Sequence, residues 1–252
     1  MEKEDTIAVF DSGVGGISVL RHLRRLLPGE RFLYFGDSAN APYGTRSTGE
    51  VRALTLAAAE KLMTIAPLKA LVLACNTATA AAVEDLRARW PELIVIGIEP
   101  ALKVAADHFP GGRVGVMATA VTLREEKFDH LLHRFEGGCT VAKIPAPGLV
   151  ERIEAGQTQG PQIQALLHGI LDPYVGKLDA LVLGCTHYPF VSKTIGEILG
   201  PGTALLDGGE GTARETRRRL ALSGLLENGR GSVTMLNSDP ERLALSQKLL
   251  EL

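Results

Sequence analysis

The chain has 252 residues, of which 45% are hydrophobic and 5% aromatic, with a formal net charge of −2. That length buries a core as one large or two small domains, and the charge, with no basic run or arm, excludes the footprint of a nucleic-acid binder. No apolar stretch approaches the ~18 residues of a membrane span and no signal-type apolar run follows the charged start Met1–Thr6, so the expectation is a cytoplasmic protein without a membrane partner.

Short apolar runs recur along the chain, each followed by a turn signal and a helical pattern. Ile7–Phe10, Phe32–Phe35, Ala70–Ala74 and Ile94–Ile98 come first; Val114–Met117, Leu178–Gly184 and Thr203–Leu206 come later. The amphipathic stretches between them are Ile17–Leu27, Gly49–Ala66, Ala78–Trp90, Leu123–Phe135 and Gln162–Tyr174. This alternation predicts an α/β fold with mostly parallel strands and helices on both faces.

The sequence also echoes itself. Leu71-Val-Leu-Ala-Cys75-Asn-Thr77 reads like Leu181-Val-Leu-Gly-Cys185-Thr-His187, and Ile7-Ala-Val-Phe like Val114-Gly-Val-Met. The first strand precedes the cysteine strand by 64 positions in one half and 67 in the other. We therefore expect two similar open α/β domains facing each other across a cleft in a pseudo-twofold arrangement. The first would comprise 1–98 plus 209–252 and carry Asp11 and Cys75; the second would comprise 99–208 and carry Cys185 and His187. Ligands of open α/β sheets bind beyond the carboxyl ends of the strands, so the cleft is the expected site.

Asp11-Ser-Gly-Val-Gly-Gly16 follows a strand and opens a helix, the context of a phosphate-binding glycine loop. The dinucleotide pattern fails, because Ser18 stands at its sixth position and Asp11 would face a pyrophosphate. The glycines fit a tight turn that aims backbone N–H groups at a small carboxylate. Of the three cysteines, Cys139 reads as packing. Cys75 and Cys185 each end an apolar strand and run straight into polar residues, and a strand-end cysteine at a helix N-terminus is expected to have its thiolate favoured. His22, His108, His130, His133 and His168 read as surface residues, whereas His187 sits two positions past Cys185. Zinc would need more ligands than Cys75, Cys185 and His187 supply. A cysteine hydrolase built on Cys185 and His187 leaves Cys75 idle, and a binding protein has no need of paired thiols. Inverting a stereocentre does require two opposed proton-transfer groups, and thiols suit that task near neutral pH.

At Phe10-Asp-Ser-Gly-Val-Gly-Gly16, Tyr34-Phe-Gly-Asp-Ser38, Ala41-Pro-Tyr-Gly44, Ala74-Cys-Asn-Thr-Ala78 and Gly184-Cys-Thr-His-Tyr-Pro189 the chain resembles the glutamate racemases of the aspartate/glutamate racemase superfamily, over nearly its whole length. The resemblance implies cofactor-independent interconversion of L- and D-glutamate for peptidoglycan synthesis, without pyridoxal phosphate or metal, by a homodimer. It implies Cys75 and Cys185 as the proton donor/acceptors, with Asp11, His187 and Glu154 assisting them. Ser12, Pro42, Tyr43, Gly44, Asn76, Thr77, Thr119, Thr186 and His187, with Asp11, would bind the substrate. Two positions depart from the pattern: Gly208 stands where a hydroxyl residue is common, and Ala118 where glycine is frequent.

Overall fold

The computed structural model describes residues 1–120, 122–124 and 138–251. Two parallel sheets organise them. In the first half the chain runs β1 (Thr6–Asp11), α1 (Ile17–Leu26), β2 (Arg31–Gly36), α2 (Thr48–Ile65), β3 (Leu68–Leu73), α3 (Asn76–Arg89) and β4 (Ile94–Gly97). It continues through α4 (Leu102–His108), β5 (Arg113–Ala118), β6 (Thr140–Pro145), α5 (Leu149–Glu154), α6 (Pro161–Leu171), β7 (Ala180–Leu183), α7 (Ser192–Leu199) and β8 (Ala204–Asp207). It ends with α8 (Gly209–Leu222), β9 (Ser232–Asn237) and α9 (Arg242–Leu250).

The strand orders carry the pseudo-twofold relation. The first sheet is β4-β3-β1-β2-β9 and the second is β6-β5-β7-β8, with all pairings parallel. Read from the other edge, the second sheet is β8-β7-β5-β6, the order of β4-β3-β1-β2. Cys75 after β3 and Cys185 after β7 therefore stand at equivalent strand ends. Parallel strands covered by helices on both faces bury successive side chains alternately. Ile7 and Val9 of β1 join a core with α1, while Ala8 and Phe10 join another with residues of α2 and α3. The second sheet is sandwiched likewise between two clusters.

Local chemistry sets the element ends. α2 begins on a capping box: Ser47 Oγ accepts the Glu50 N–H at 3.3 Å, and the Glu50 carboxylate accepts the Ser47 N–H at 3.0 Å. α6 opens with Pro161, whose missing N–H costs nothing at that position. β9 was not among the apolar runs read from the sequence. It is an edge strand pairing with β2 alone, and its Ser, Thr and Asn residues hide its strand character. Most of the expected helix over Leu123–Phe135 lies outside the described residues, as do His130 and His133; the part described is a 3₁₀ turn at Thr122–Arg124. Among the described residues no helix is long and apolar enough to cross a membrane.

Candidate active site

The carboxyl ends of β1, β3, β5 and β7 converge on a small, tight cavity between the halves. Ten of the residues singled out in the sequence line it: Cys75, Cys185, His187, Ser12, Tyr43, Gly44, Asn76, Thr77, Thr119 and Thr186. Val150 and Gly184 complete the wall; Gly184 stands in a motif already noted, whereas nothing in the sequence context had marked Val150. Asp11, Pro42 and Glu154 do not line it. Asp11 and Glu154 stand behind the wall as hydrogen-bond acceptors, and Pro42 precedes Tyr43, whose hydroxyl donates to Asp37 at 2.7 Å.

Cys75 occupies the N-cap of α3, where its Sγ accepts the Ala78 N–H at 3.4 Å and lies 3.4 Å from Ser12 Oγ. The helix N-terminus does favour its thiolate through the Ala78 N–H, but the expected net lowering of the thiol is overturned. Burial and the nearby Asp11 carboxylate outweigh the Ser12 and Ala78 contacts and push the Cys75 thiol up to about 12. Cys185 also differs from expectation, since it leads into a 3₁₀ turn, Tyr188–Val191, rather than an α-helix.

The surroundings of Cys185 form a chain of ionisable groups. His187 Nδ1 lies 3.6 Å from Cys185 Sγ, and His187 Nε2 lies 2.6 Å from Glu154 Oε1. Glu154 Oε1 also accepts the Val14 N–H at 2.7 Å, and its Oε2 accepts the Ser38 hydroxyl at 3.1 Å. Burial opposes charge on both members of the pair. The contacts nonetheless hold Glu154 below the usual carboxylate range and His187 well above the usual imidazole range. Asp11 goes the other way: burial raises it, although His187, the Thr186 hydroxyl at 2.9 Å and the Gly13 N–H at 2.9 Å favour its charged form. Two carboxyl groups whose environments push them apart mark acid/base territory.

Many of these contacts cross between the halves. Glu154 reaches Val14 and Ser38, Asp11 receives Thr186, and the Ser18 hydroxyl donates to the Thr186 carbonyl at 2.9 Å. Thr77 lies 3.4 Å from Thr119 and 3.2 Å from Thr122, hydroxyl to hydroxyl. Thr122 was not anticipated; its spacing of three from Thr119 was the available signal.

The glycine loop does bind carboxylates, but the protein supplies them, Asp11 at the Gly13 N–H and Glu154 at the Val14 N–H. Gly13 and Gly15 are also small for a steric reason. A Cβ on Gly13 would collide with the Glu154 carboxylate, and one on Gly15 with the His187 ring and Thr186. Cys139 is half-buried and takes no part in the cavity.

Two facing parallel-sheet halves, each ending a central strand on a thiol that lines one shared cavity, define the class as a paired-domain racemase. The chain belongs to the Asp/Glu/Hydantoin racemase family, whose model matches residues 9–216. It is similar to the glutamate racemase of Clostridium acetobutylicum, 46% identical over 99% of both chains. It also resembles the crystal structure of glutamate racemase from Thermus thermophilus in complex with β-chloro-D-alanine, with a TM-score of 0.85 and 39% identity over 100% of this chain and 95% of that one. Glutamate racemase from Francisella tularensis in complex with D-glutamate aligns with a TM-score of 0.84 and 26% identity, over 99% and 95% of the two chains.

Proposed function

We propose that this protein interconverts L- and D-glutamate without a cofactor, using Cys75 and Cys185 as opposed proton donor and acceptor, and so supplies D-glutamate for peptidoglycan synthesis. The observation that carries the reading is that equivalent strand ends of the two halves deliver one thiol each to the same cavity. In one direction the thiolate of one cysteine takes the α-proton, leaving a carbanion. The thiol of the other cysteine then gives its proton to the opposite face, and the two exchange protonation states. The reverse direction swaps the roles.

The remaining residues fit supporting parts. The hydroxyls of Ser12, Thr77, Thr119 and Thr186, with Tyr43 and the backbone at Gly44, would hold the two carboxylates. Asn76 Oδ1 is buried without a partner among the described residues and would accept from the substrate amine. The His187 imidazolium, held by Glu154, would stabilise the Cys185 thiolate, and Asp11 would steady Thr186 beside it. The reading extends to a cytoplasmic homodimer divided into 1–98 plus 209–252 and 99–208.

One specific contact favours a second reading. Cys185, His187 and Glu154 are also arranged as nucleophile, base and orienter. That chemistry leaves Cys75 without a role. The deciding experiment incubates the purified chain with L-glutamate alone and follows the circular dichroism of the solution. The signal should decay to zero; a folded protein that leaves it unchanged refutes the proposal. L-Aspartate in the same assay should react at least ~100-fold more slowly in kcat/KM, because a missing methylene costs about 10- to 200-fold and displaces the α-carbon from both thiols. Near-equal values would refute the substrate assignment while sparing the two-thiol chemistry.

A further inference from the structure

Glu154 receives hydrogen bonds from three directions, and one of them continues outward. Ser38 Oγ donates to Glu154 Oε2 at 3.1 Å, and Asn237 Nδ2 donates to Ser38 Oγ at 3.0 Å. The direction of this chain is fixed by its far end. Asn237 Oδ1 accepts the backbone N–H of Asp239 at 2.9 Å, and a backbone N–H can only donate. The amide nitrogen of Asn237 must therefore face Ser38. With that donor on one of its lone pairs, the single hydroxyl proton of Ser38 is free to go to Glu154.

We propose that Ser38 and Asn237 are positioning residues for the racemisation: a polarised chain from the edge strand β9 that locks the Glu154 carboxylate onto His187 and thereby sets the acid/base state of Cys185. The proposal rests on the reading of Cys185 as a proton-transfer group. Neither residue lines the cavity, so both act through Glu154. A second bond ties the neighbouring Ala39 to the residue that follows β9, the Ala39 N–H donating to Ser238 Oγ at 2.9 Å.

The physical role follows from counting donors. A buried carboxylate stays ionised only while its oxygens are well supplied. Val14 and His187 share Oε1, and among the described residues Ser38 alone serves Oε2. The titratable groups facing Glu154 are His187, Cys185 through His187, and Asp11 and Tyr34 beside the glycine loop; no lysine or arginine contacts it among the described residues. Removing the Ser38 donor leaves Oε2 bare, moves Glu154 upward, and weakens its hold on the His187 proton. Among the described residues this relay has no counterpart at Cys75, which is served by Ser12 and the Ala78 N–H.

The test uses the full chain and two kinds of readout. Ser38→Ala should lower kcat/KM at neutral pH about 3- to 30-fold and move the acid limb of its pH profile up by about one unit. Ser38→Thr, which keeps the hydroxyl, should restore both. Asn237→Asp keeps the shape but offers no proton to Ser38, so the hydroxyl turns away from Glu154. It should shift the acid limb the same way, and should cost much less when added to Ser38→Ala than when made alone. The ¹⁵N titration of the His187 ring should move to lower pH in Ser38→Ala, a readout independent of turnover. An unchanged acid limb and His187 titration in Ser38→Ala would overturn the proposal. So would a failure of Ser38→Thr to rescue, or equal costs of Asn237→Asp in both backgrounds. A wild-type chain that does not racemise glutamate would instead overturn the proposed function, with the His187 titration still deciding the relay.

Discussion

Gly15→Ala tests whether the site depends on the seating of His187. The backbone should accept the change, because Gly15 is not among the positive-φ glycines. An added methyl there would by itself stabilise by roughly 0.4–1 kcal/mol through the unfolded state. Against this stands a collision. The new Cβ would lie 2.6 Å from His187 Cε1 and 2.6 Å from Thr186 Oγ1, where ordinary contact begins at 3.4 Å. The ring must retreat by nearly ~1 Å, from a position already 3.6 Å from Cys185 Sγ. Its 2.6 Å bond to Glu154 would stretch or break. A misplacement of ~1 Å in a catalytic constellation costs on the order of 100-fold, and strain in the packed loop costs about 1–3 kcal/mol of stability. Circular dichroism rates on L- and D-glutamate should thus show kcat down about 100-fold, with a cooperative melt retained. A Gly15→Ala enzyme within threefold of wild type would refute the claim that His187 works from this seat.

Other outcomes rest on the same geometry. Cys75→Ala and Cys185→Ala should each abolish racemisation while Cys139→Ala leaves it nearly intact, and an active Cys75→Ala enzyme would sink the two-thiol mechanism. In D2O at low conversion, mass spectrometry should find deuterium in the product before the remaining substrate; equal early labelling would indicate a single freely exchanging base. Burial pushes Cys75 up to about 12, whereas an unfolded thiol ionises near ~8.5. The folded state keeps that proton where the unfolded state has lost it, so stability should fall as pH rises above about 9. Melts at pH 8 and pH 10 should show a smaller drop for Cys75→Ser than for wild type, and an equal drop would mean that the thiol ionises freely in the fold.

The repeat was legible because it is written in strands. Leu71–Cys75 and Leu181–Cys185 are buried on both faces and must be apolar throughout, which makes them recognisable and alignable by eye. β9 was not, because an edge strand pairs on one side only and tolerates Ser, Thr and Asn. Within the site, most residues that touch the cavity, Val150 excepted, stood next to strand ends or in the quoted motifs and could be read there. Of those that act from behind it, Asp11 and Glu154 were reached through the family resemblance, whereas Ser38 and Asn237 were not. Ser38 and Asn237 are 199 positions apart, and Ser38 and Glu154 are 116 apart. No local pattern encodes a hydrogen bond over such a span. The direction of the Cys75 shift was missed for a related reason. A helix N-terminus is visible in sequence, whereas complete burial and an Asp11 charge nearby depend on how the halves close.

The two halves repeat in strand order but not in their ionisable groups, and thermodynamics limits what that asymmetry can do. Asp11 at the end of β1 corresponds to Ala118 at the end of β5, and among the described residues His187 with Glu154 has no partner of its kind beside Cys75. Asp11, although it belongs to the first half, bonds to Thr186 next to Cys185. Asp11 therefore bears on both thiols, raising Cys75 by its charge and bonding beside Cys185, whereas the Glu154–His187 pair serves Cys185. L- and D-glutamate are mirror images with equal free energy in water, so the two directions must share one kcat/KM. Any gain at Cys185 in abstracting a proton must be returned when that thiol donates one. The asymmetry can only divide binding from turnover, raising kcat and KM together in one direction. A substitution along the Glu154–His187 chain must for the same reason lower kcat/KM by one factor in both directions. A state with one thiol as acceptor and the other as donor serves one enantiomer only. Each turnover therefore leaves the site ready for the opposite enantiomer, and the two thiols must exchange protons with solvent before the same direction runs again.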